Sequence, residues 1–232
     1  MDQTMRLDKY LADMSYGTRN EVKDLIKAKR VKVNDEICKD PSTHISEKDI
    51  VAVDDVKVVY AEYEYYLLNK PAGYLSATED NKYPVVLELV HSKRKDLAPV
   101  GRLDLDSQGV LLISNDGVLA HKLLSPKYHV DKRYYVELEN ELPDNAEELF
   151  SKPMDLGDFI TSECKFERID SLRAYLTIHE GKFHQVKRMF ENVGSPVKYL
   201  RRETFSFLNL EGLETGEYRE LTKEEVDKLY NS

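Results

Sequence analysis

The sequence has only two cysteines, Cys38 and Cys164, set 126 positions apart. They form no CxxC pair and no disulfide framework, so a reducing compartment, the cytoplasm, is expected. Long apolar runs are also missing. The longest purely aliphatic stretch is Val110 to Ile113, which excludes a helical membrane span and a membrane partner. The opening Met1-Asp2-Gln3-Thr4-Met5-Arg6 has no apolar h-region, so no secretory leader is expected. No Pro/Ser-rich tract and no internal repeat occurs. A positive balance is lacking too: 34 Lys and Arg face 43 Asp and Glu, a net charge of −9. That balance argues against a chain coated with nucleic acid. A local stripe of cations can still bind phosphates, so where the basic residues fall matters more than their sum.

What is present suffices for a buried core. The 232 residues are 41% hydrophobic and suit one large domain, or a small one plus a medium one. Leu7, Tyr10, Leu11 and Met14 recur at i, i+3, i+4 and i+7, one apolar helix face. Thr18 with Glu21 reads as a capping box for a second helix, whose inner side is Val22, Leu25 and Ile26. Strands follow at 31–33 and 50–53, with a turn at Asn34-Asp35. Residues 1–55 therefore read as a small α+β module and 56–62 as a linker with some strand. Residues 63–232 form a second, strand-rich domain. Strands are expected at 65–68, 110–113, 134–138 and 174–178. Helices are expected at 84–92, 117–124, 144–151, 184–193 and 222–230, the last capped by Thr222 and Glu225. Strict β-α-β alternation is missing, so the fold class is α+β with a mainly antiparallel sheet.

The second helix carries Arg19, Lys23, Lys27 and Arg30 at spacings of 4, 4 and 3, which puts them on one face. Such a face suits the phosphates of a folded RNA. A solvated face with Glu/Lys pairs is the plainer alternative. Arg6-Leu7-Asp8-Lys9-Tyr10-Leu11, Thr18-Arg19-Asn20-Glu21 and Arg30-Val31-Lys32-Val33-Asn34 resemble the S4 RNA-binding domain over about the first 53 residues. The S4 pattern often has Gly where Lys29 and Asp35 stand, so both positions are expected to need positive φ.

The densest unusual segment is Gly101-Arg102-Leu103-Asp104-Leu105-Asp106-Ser107-Gln108-Gly109, a charged loop entering an apolar strand. Three imitations fail. Asp104-x-Asp106-x-x-Gly109 opens like an EF-hand loop, but the twelfth position is Asn115 where a bidentate Glu is needed. An Asp-x-Asp phosphatase places its buried strand before the pair, and here it follows. His179-Glu180 and His184 hint at zinc, but the spacing is five, across a Gly, so the i, i+4 helical arrangement is lost. No metal and no cofactor is expected.

The same segment resembles the Gly-Arg-Leu-Asp motif of pseudouridine synthases, and further motifs of that family follow in order. They are Asn69-Lys70-Pro71-Ala72-Gly73-Tyr74, Lys132-Arg133-Tyr134, Glu180-Gly181-Lys182-Phe183-His184-Gln185-Val186-Lys187-Arg188-Met189, and Gly216-Glu217-Tyr218-Arg219-Glu220-Leu221-Thr222. Ser107 stands for the usual Thr, and Phe205-Ser206 where a Gly is common. The order of motifs resembles the branch that modifies ribosomal RNA. Lys187, where most of that branch has Arg, resembles the small-subunit family that acts on uridine 516 of 16S ribosomal RNA. The resemblance implies a pseudouridine-synthase-like catalytic domain behind the S4 module. It implies Asp104 as nucleophile or base, Lys187 as its cation, and Tyr134 as the ring on which the uracil stacks. Arg102 would fill the gap left by the flipped base. Asp106 is given a turn or Arg-pairing role. The partner would be 16S ribosomal RNA or a small-subunit assembly intermediate, met by a monomer. The alternatives are a large-subunit ribosomal RNA synthase and a non-catalytic S4 assembly factor.

Overall fold

The computed structural model describes residues 4–232; residues 1–3, which begin the segment read for a leader, lie outside them. The chain divides into two units. One runs up to Tyr63 and includes Ser92–Asp96; the other holds Glu64–His91 and Leu97–Ser232.

In the first unit, helices α1 (Leu7–Asp13) and α2 (Arg19–Lys27) pack their apolar faces through Leu7, Leu11, Val22 and Ile26, all fully buried. The capping box forms: Thr18 accepts from the Glu21 amide and the Glu21 carboxylate accepts from the Thr18 amide. Such a cap contributes about 1 kcal/mol. Strands β1 (Val31–Val33), β2 (Val51–Val53) and β3 (Val56–Val58) run antiparallel in that order, with Glu36–Ile37 on the outer edge of β1. The span read as a linker thus supplies β3, and Tyr60 stacks on Tyr10 at 5.0 Å. Lys29 and Asp35 adopt φ of 62° and 66°, the left-handed backbone expected where glycine is common.

The second unit is built on one large sheet. Its strands are β4 (Tyr65–Lys70), β5 (Ala98–Val100), β6 (Gln108–Ser114), β7 (Lys132–Leu138), β8 (Lys165–Arg168), β9 (Arg173–Ile178), β10 (Val197–Phe205) and β11 (Tyr218–Glu220). The order is β8-β9-β7-β10-β6-β4-β11, with β5 beside β6 and a ninth, two-residue strand, Leu208–Asn209, antiparallel beside β10. Every pairing is antiparallel except β10 with β6. The central strands are covered on both faces. Leu111 and Ile113 join one core and Val110 and Leu112 the other, which explains the unbroken aliphatic run. Further out, β7 alternates buried and half-buried residues, as a strand covered on one face should.

The parallel junction depends on Gly109. Its φ is 109°, and a Cβ there would stand 2.2 Å from the Arg202 carbonyl oxygen of β10. No side chain fits, so glycine alone lets the strand behind the 101–107 loop meet its neighbour.

Helices α3 (Gly117–Leu124), α4 (Ala146–Phe150), α5 (Gln185–Asn192) and α6 (Lys223–Asn231) agree with the sequence reading, and Thr222 with Glu225 caps α6. The helix expected at 84–92 shrinks to one 3₁₀ turn, Val86–Leu89. Val85 is instead extended and bridges Leu75, as suits a β-branched residue after Pro84. Strand β10, nine residues long, escaped the sequence reading. Lys198, Arg201, Arg202 and Glu203 hide its period, because Arg202 points inward and is buried.

Asp116 ties helix to sheet. It is buried, caps α3 by accepting from the Leu119 amide, and accepts the hydroxyls of Tyr65 and Tyr230. Burial alone would raise its pKa, but those donors hold it below the ordinary carboxylate range. Stability from this group is therefore present above the unfolded pKa and is lost as pH falls through the folded one. Asp116→Ala is expected to lower stability at neutral pH by about 2–3 kcal/mol. In urea titrations the deficit should shrink toward low pH. A deficit independent of pH would mean that the carboxylate charge contributes nothing.

Candidate active site

The loop between β5 and β6 carries Arg102, Asp104, Asp106 and Ser107, and buried polar groups hold it from beneath. Lys70 ends β4 with no solvent exposure. Its Nζ donates to the carbonyls of Asp104 at 3.0 Å, Ser107 at 2.7 Å and Pro71 at 3.0 Å. Burial lowers its pKa to about 8, partly offset by Asp104 and Asp106. The Ser76 hydroxyl accepts from the Leu103 amide and donates to the Leu103 carbonyl, both at 3.0 Å. The Gly73 amide donates to the Leu105 carbonyl at 2.7 Å. The 69–76 segment thus fixes the backbone on both sides of Asp104.

The Asp104 carboxylate meets two side chains from the start of α5. Lys187 Nζ lies 3.1 Å from one oxygen and His184 Nε2 lies 3.4 Å from the other. Residues three apart in a first helical turn face the same way, which sets these two side by side. His184 enters the helix with φ of 49°, a left-handed conformation that costs energy in a residue with a side chain. Lys187 also reaches Asp106 at 2.7 Å. Asp106, expected in a turn or with an arginine, is thus paired with this lysine. Burial opposes the Lys187 charge, but the two carboxylates outweigh it and raise its pKa. Burial likewise works against the Asp106 charge, but the Lys187 ammonium prevails and holds its carboxyl below the usual range.

Tyr134 comes from the middle of β7, where it is 7% exposed and belongs to the core. It lines the same cleft as Arg102, Asp104, His184 and Lys187. Asp104, Tyr134 and Lys187 are therefore brought together from three distant segments. Arg102 is exposed and makes no hydrogen bond or ion pair with the described residues. The zinc pattern dissolves in three dimensions: His179 turns to Asp131, Glu180 to Ser162 and Gln185, and His184 to Asp104. Among the described residues no three His, Cys, Asp or Glu converge on one point.

Sequence reasoning quoted His184 and Lys70 within family motifs but gave neither a role, and missed Ser76 and Arg202. Arg202 is 2% exposed and donates through Nε to the Val110 carbonyl at 2.8 Å. One signal was available: a lysine directly before Pro71 at the end of an apolar strand is poorly placed for solvent.

In the first unit, Arg19 and Lys27 are exposed and Lys23 is half-buried along α2. Arg30 differs from the expectation. It stands beyond the helix end, and its guanidinium binds both Asp54 oxygens.

The Asp104 carboxylate thus sits between a lysine and a histidine, in a cleft lined by a tyrosine from an antiparallel sheet. Residues 64–192 match the RNA pseudouridylate synthase family and residues 5–51 match the S4 domain. The chain belongs to the RNA pseudouridylate synthase family, in the group that carries an S4 domain, and is an RNA pseudouridine synthase. It is 42% identical to an uncharacterized RNA pseudouridine synthase of Bacillus subtilis, over 97% of this chain and 98% of that one. It is 38% identical to the ribosomal large subunit pseudouridine synthase B of the same organism, over 97% and 95%. To the ribosomal small subunit pseudouridine synthase A of Haemophilus influenzae it is 37% identical, over 97% and 99%. A solved pseudouridylate synthase superposes with a TM-score of 0.69 at 36% identity, covering 97% of this chain and 99% of that one. The homologues support ribosomal RNA as the substrate class.

Proposed function

We propose that this enzyme converts one uridine of 16S ribosomal RNA to pseudouridine, at the position equivalent to uridine 516, with Asp104 as nucleophile or base. The observation that carries the reading is the Asp104 carboxylate held between Lys187 at 3.1 Å and His184 at 3.4 Å in a cleft lined by Tyr134. The reaction breaks the N1–C1′ bond, turns the uracil and joins C5 to C1′. The C5 proton leaves and N1 regains one, so no redox partner is needed. An ionised carboxylate can attack C1′ or C6, or take a ribose proton, and the Lys187 ammonium stands 3.1 Å from it. The target base must leave its stack. Tyr134 offers its ring to the uracil, and Arg102, with no partner to give up, fills the gap in the RNA.

Arg19, Lys23 and Lys27 bind phosphates along α2, with Arg30 a lesser contributor because Asp54 already neutralises it. Changing the first three to Gln should flatten the slope of log K against log salt by roughly 0.7–0.9 per contact. Arg30→Gln should flatten it less. Affinity should fall across RNA sequences alike, since phosphate contacts position without specifying. An unchanged slope in the triple variant would reduce the stripe to a solvated face.

A large-subunit target is the second reading, favoured by the 38% identity to the Bacillus subtilis enzyme of that name. Mapping pseudouridine at single-nucleotide resolution in both ribosomal RNAs, with and without the gene, decides between them. Loss of one site in 16S RNA is expected. Loss confined to 23S RNA would overturn the small-subunit reading.

A further inference from the structure

Beside the cleft stands a side chain that none of these roles uses. Phe183 is 76% exposed, more than any other large hydrophobic side chain among the described residues. It belongs to none of the three hydrophobic cores. Its ring lies on the His184 imidazole, with centroids 3.8 Å apart and planes 18° apart. His184 in turn is anchored by Asp104 at 3.4 Å and by its left-handed backbone at the helix start. The phenyl ring is thus held flat against a fixed imidazole while its other face is open to solvent. A phenylalanine with no core to fill, oriented and placed at the mouth of a site that receives an extruded base, is suited to a second base.

We infer that Phe183, backed by His184, is a stacking platform for the nucleobase next to the target uridine. A nucleotide that swings into the cleft carries its neighbours to the rim and leaves at least one of them unstacked. An aromatic face offered there restores the lost stacking, and does so for any base because every base has a π-face. Phe183 would then be a positioning residue that touches no reacting atom. It would hold the strand so that the uridine stays beside Asp104. The inference rests on the reading that the Asp104 cleft receives the uridine.

The test is a double-substitution cycle between protein and RNA. The enzyme variants are wild type, Phe183→Ala and Phe183→Tyr. The RNA spans the mapped uridine, with each flanking nucleotide replaced in turn by an abasic one. Phe183→Ala should raise KM by roughly 5- to 150-fold, the range of one base–aromatic stack, with kcat changed by less than about twofold. Phe183→Tyr should restore KM. One of the two abasic positions should raise KM in the wild type by a similar factor and add nothing in Phe183→Ala. An unchanged KM in Phe183→Ala overturns the platform, and so do abasic effects that multiply in full with the protein change. Failure of the underlying reading looks different: Asp104→Asn would then turn over the unsubstituted RNA.

Discussion

Asp104→Asn is expected to abolish turnover while leaving the fold and RNA binding intact. The substitution keeps the shape of the side chain and removes its charge. The fold should tolerate it, because the loop is held through backbone groups: Lys70 and Ser76 bind carbonyls and an amide of 103–107, and none of these contacts uses the Asp104 side chain. Loss of the group that carries out the chemistry typically lowers kcat by roughly 10⁴-fold or more. Single-turnover assays on ribosomal RNA, with binding measured in parallel, separate the two effects. Turnover near wild type would end the assignment of Asp104. Asp106→Asn should do much less, since Asp106 is exposed and Lys187 keeps Asp104 as a partner.

Lys187→Met should produce the second large loss, and of a different kind. The methionine fills similar space but leaves two carboxylates close together without their shared cation. Lys187 and Asp104 side chains are 22% and 28% exposed, so water screens part of the damage to the fold. Destabilisation should therefore fall below the ~3–5 kcal/mol of a fully buried broken pair. Activity should drop by roughly 10²–10³-fold, the effect of removing one preorganised electrostatic partner. The pH dependence carries the sign. Lys187 has a raised pKa, so it stays charged through neutral pH and contributes no basic limb there. Asp106, whose carboxyl this lysine holds below the usual range, should keep its proton to higher pH in the variant, a move that NMR titration of the carboxyl reads. An unchanged Asp106 titration would mean that the ammonium does not govern this carboxylate.

Much of the local structure was legible before any coordinates. Thr18 with Glu21 and Thr222 with Glu225 announce helix starts because a cap is a contact between residues three apart. The left-handed turns at Lys29 and Asp35 followed from where glycine is common in similar sequences. The failures have a shared cause. Strand β10 hides its alternation because a buried arginine occupies an inward position. The helix expected at 84–92 yields to an extended Val85 that bridges Leu75, a pairing no periodicity reveals.

The sequence by itself determined the two-part organisation of motifs, the main helices and strands, the enzyme family and the identity of Asp104, Tyr134 and Lys187 as candidates. Caps and periodicity suffice for the helices and strands, since they are properties of neighbours along the chain, while the family and the three candidates rest on the resemblance of the motifs. Only the tertiary structure decided that Lys187 reaches Asp106, 81 positions away, as well as Asp104. It likewise made His184, given no role from the sequence, a neighbour of the carboxylate. It buried Lys70 beneath the loop, and it left Phe183 in solvent at the rim. Sheet register and the approach of α5 to the 101–107 loop set those distances. They arise from pairings between remote segments, so their geometry exists only once the sheet has closed around Gly109.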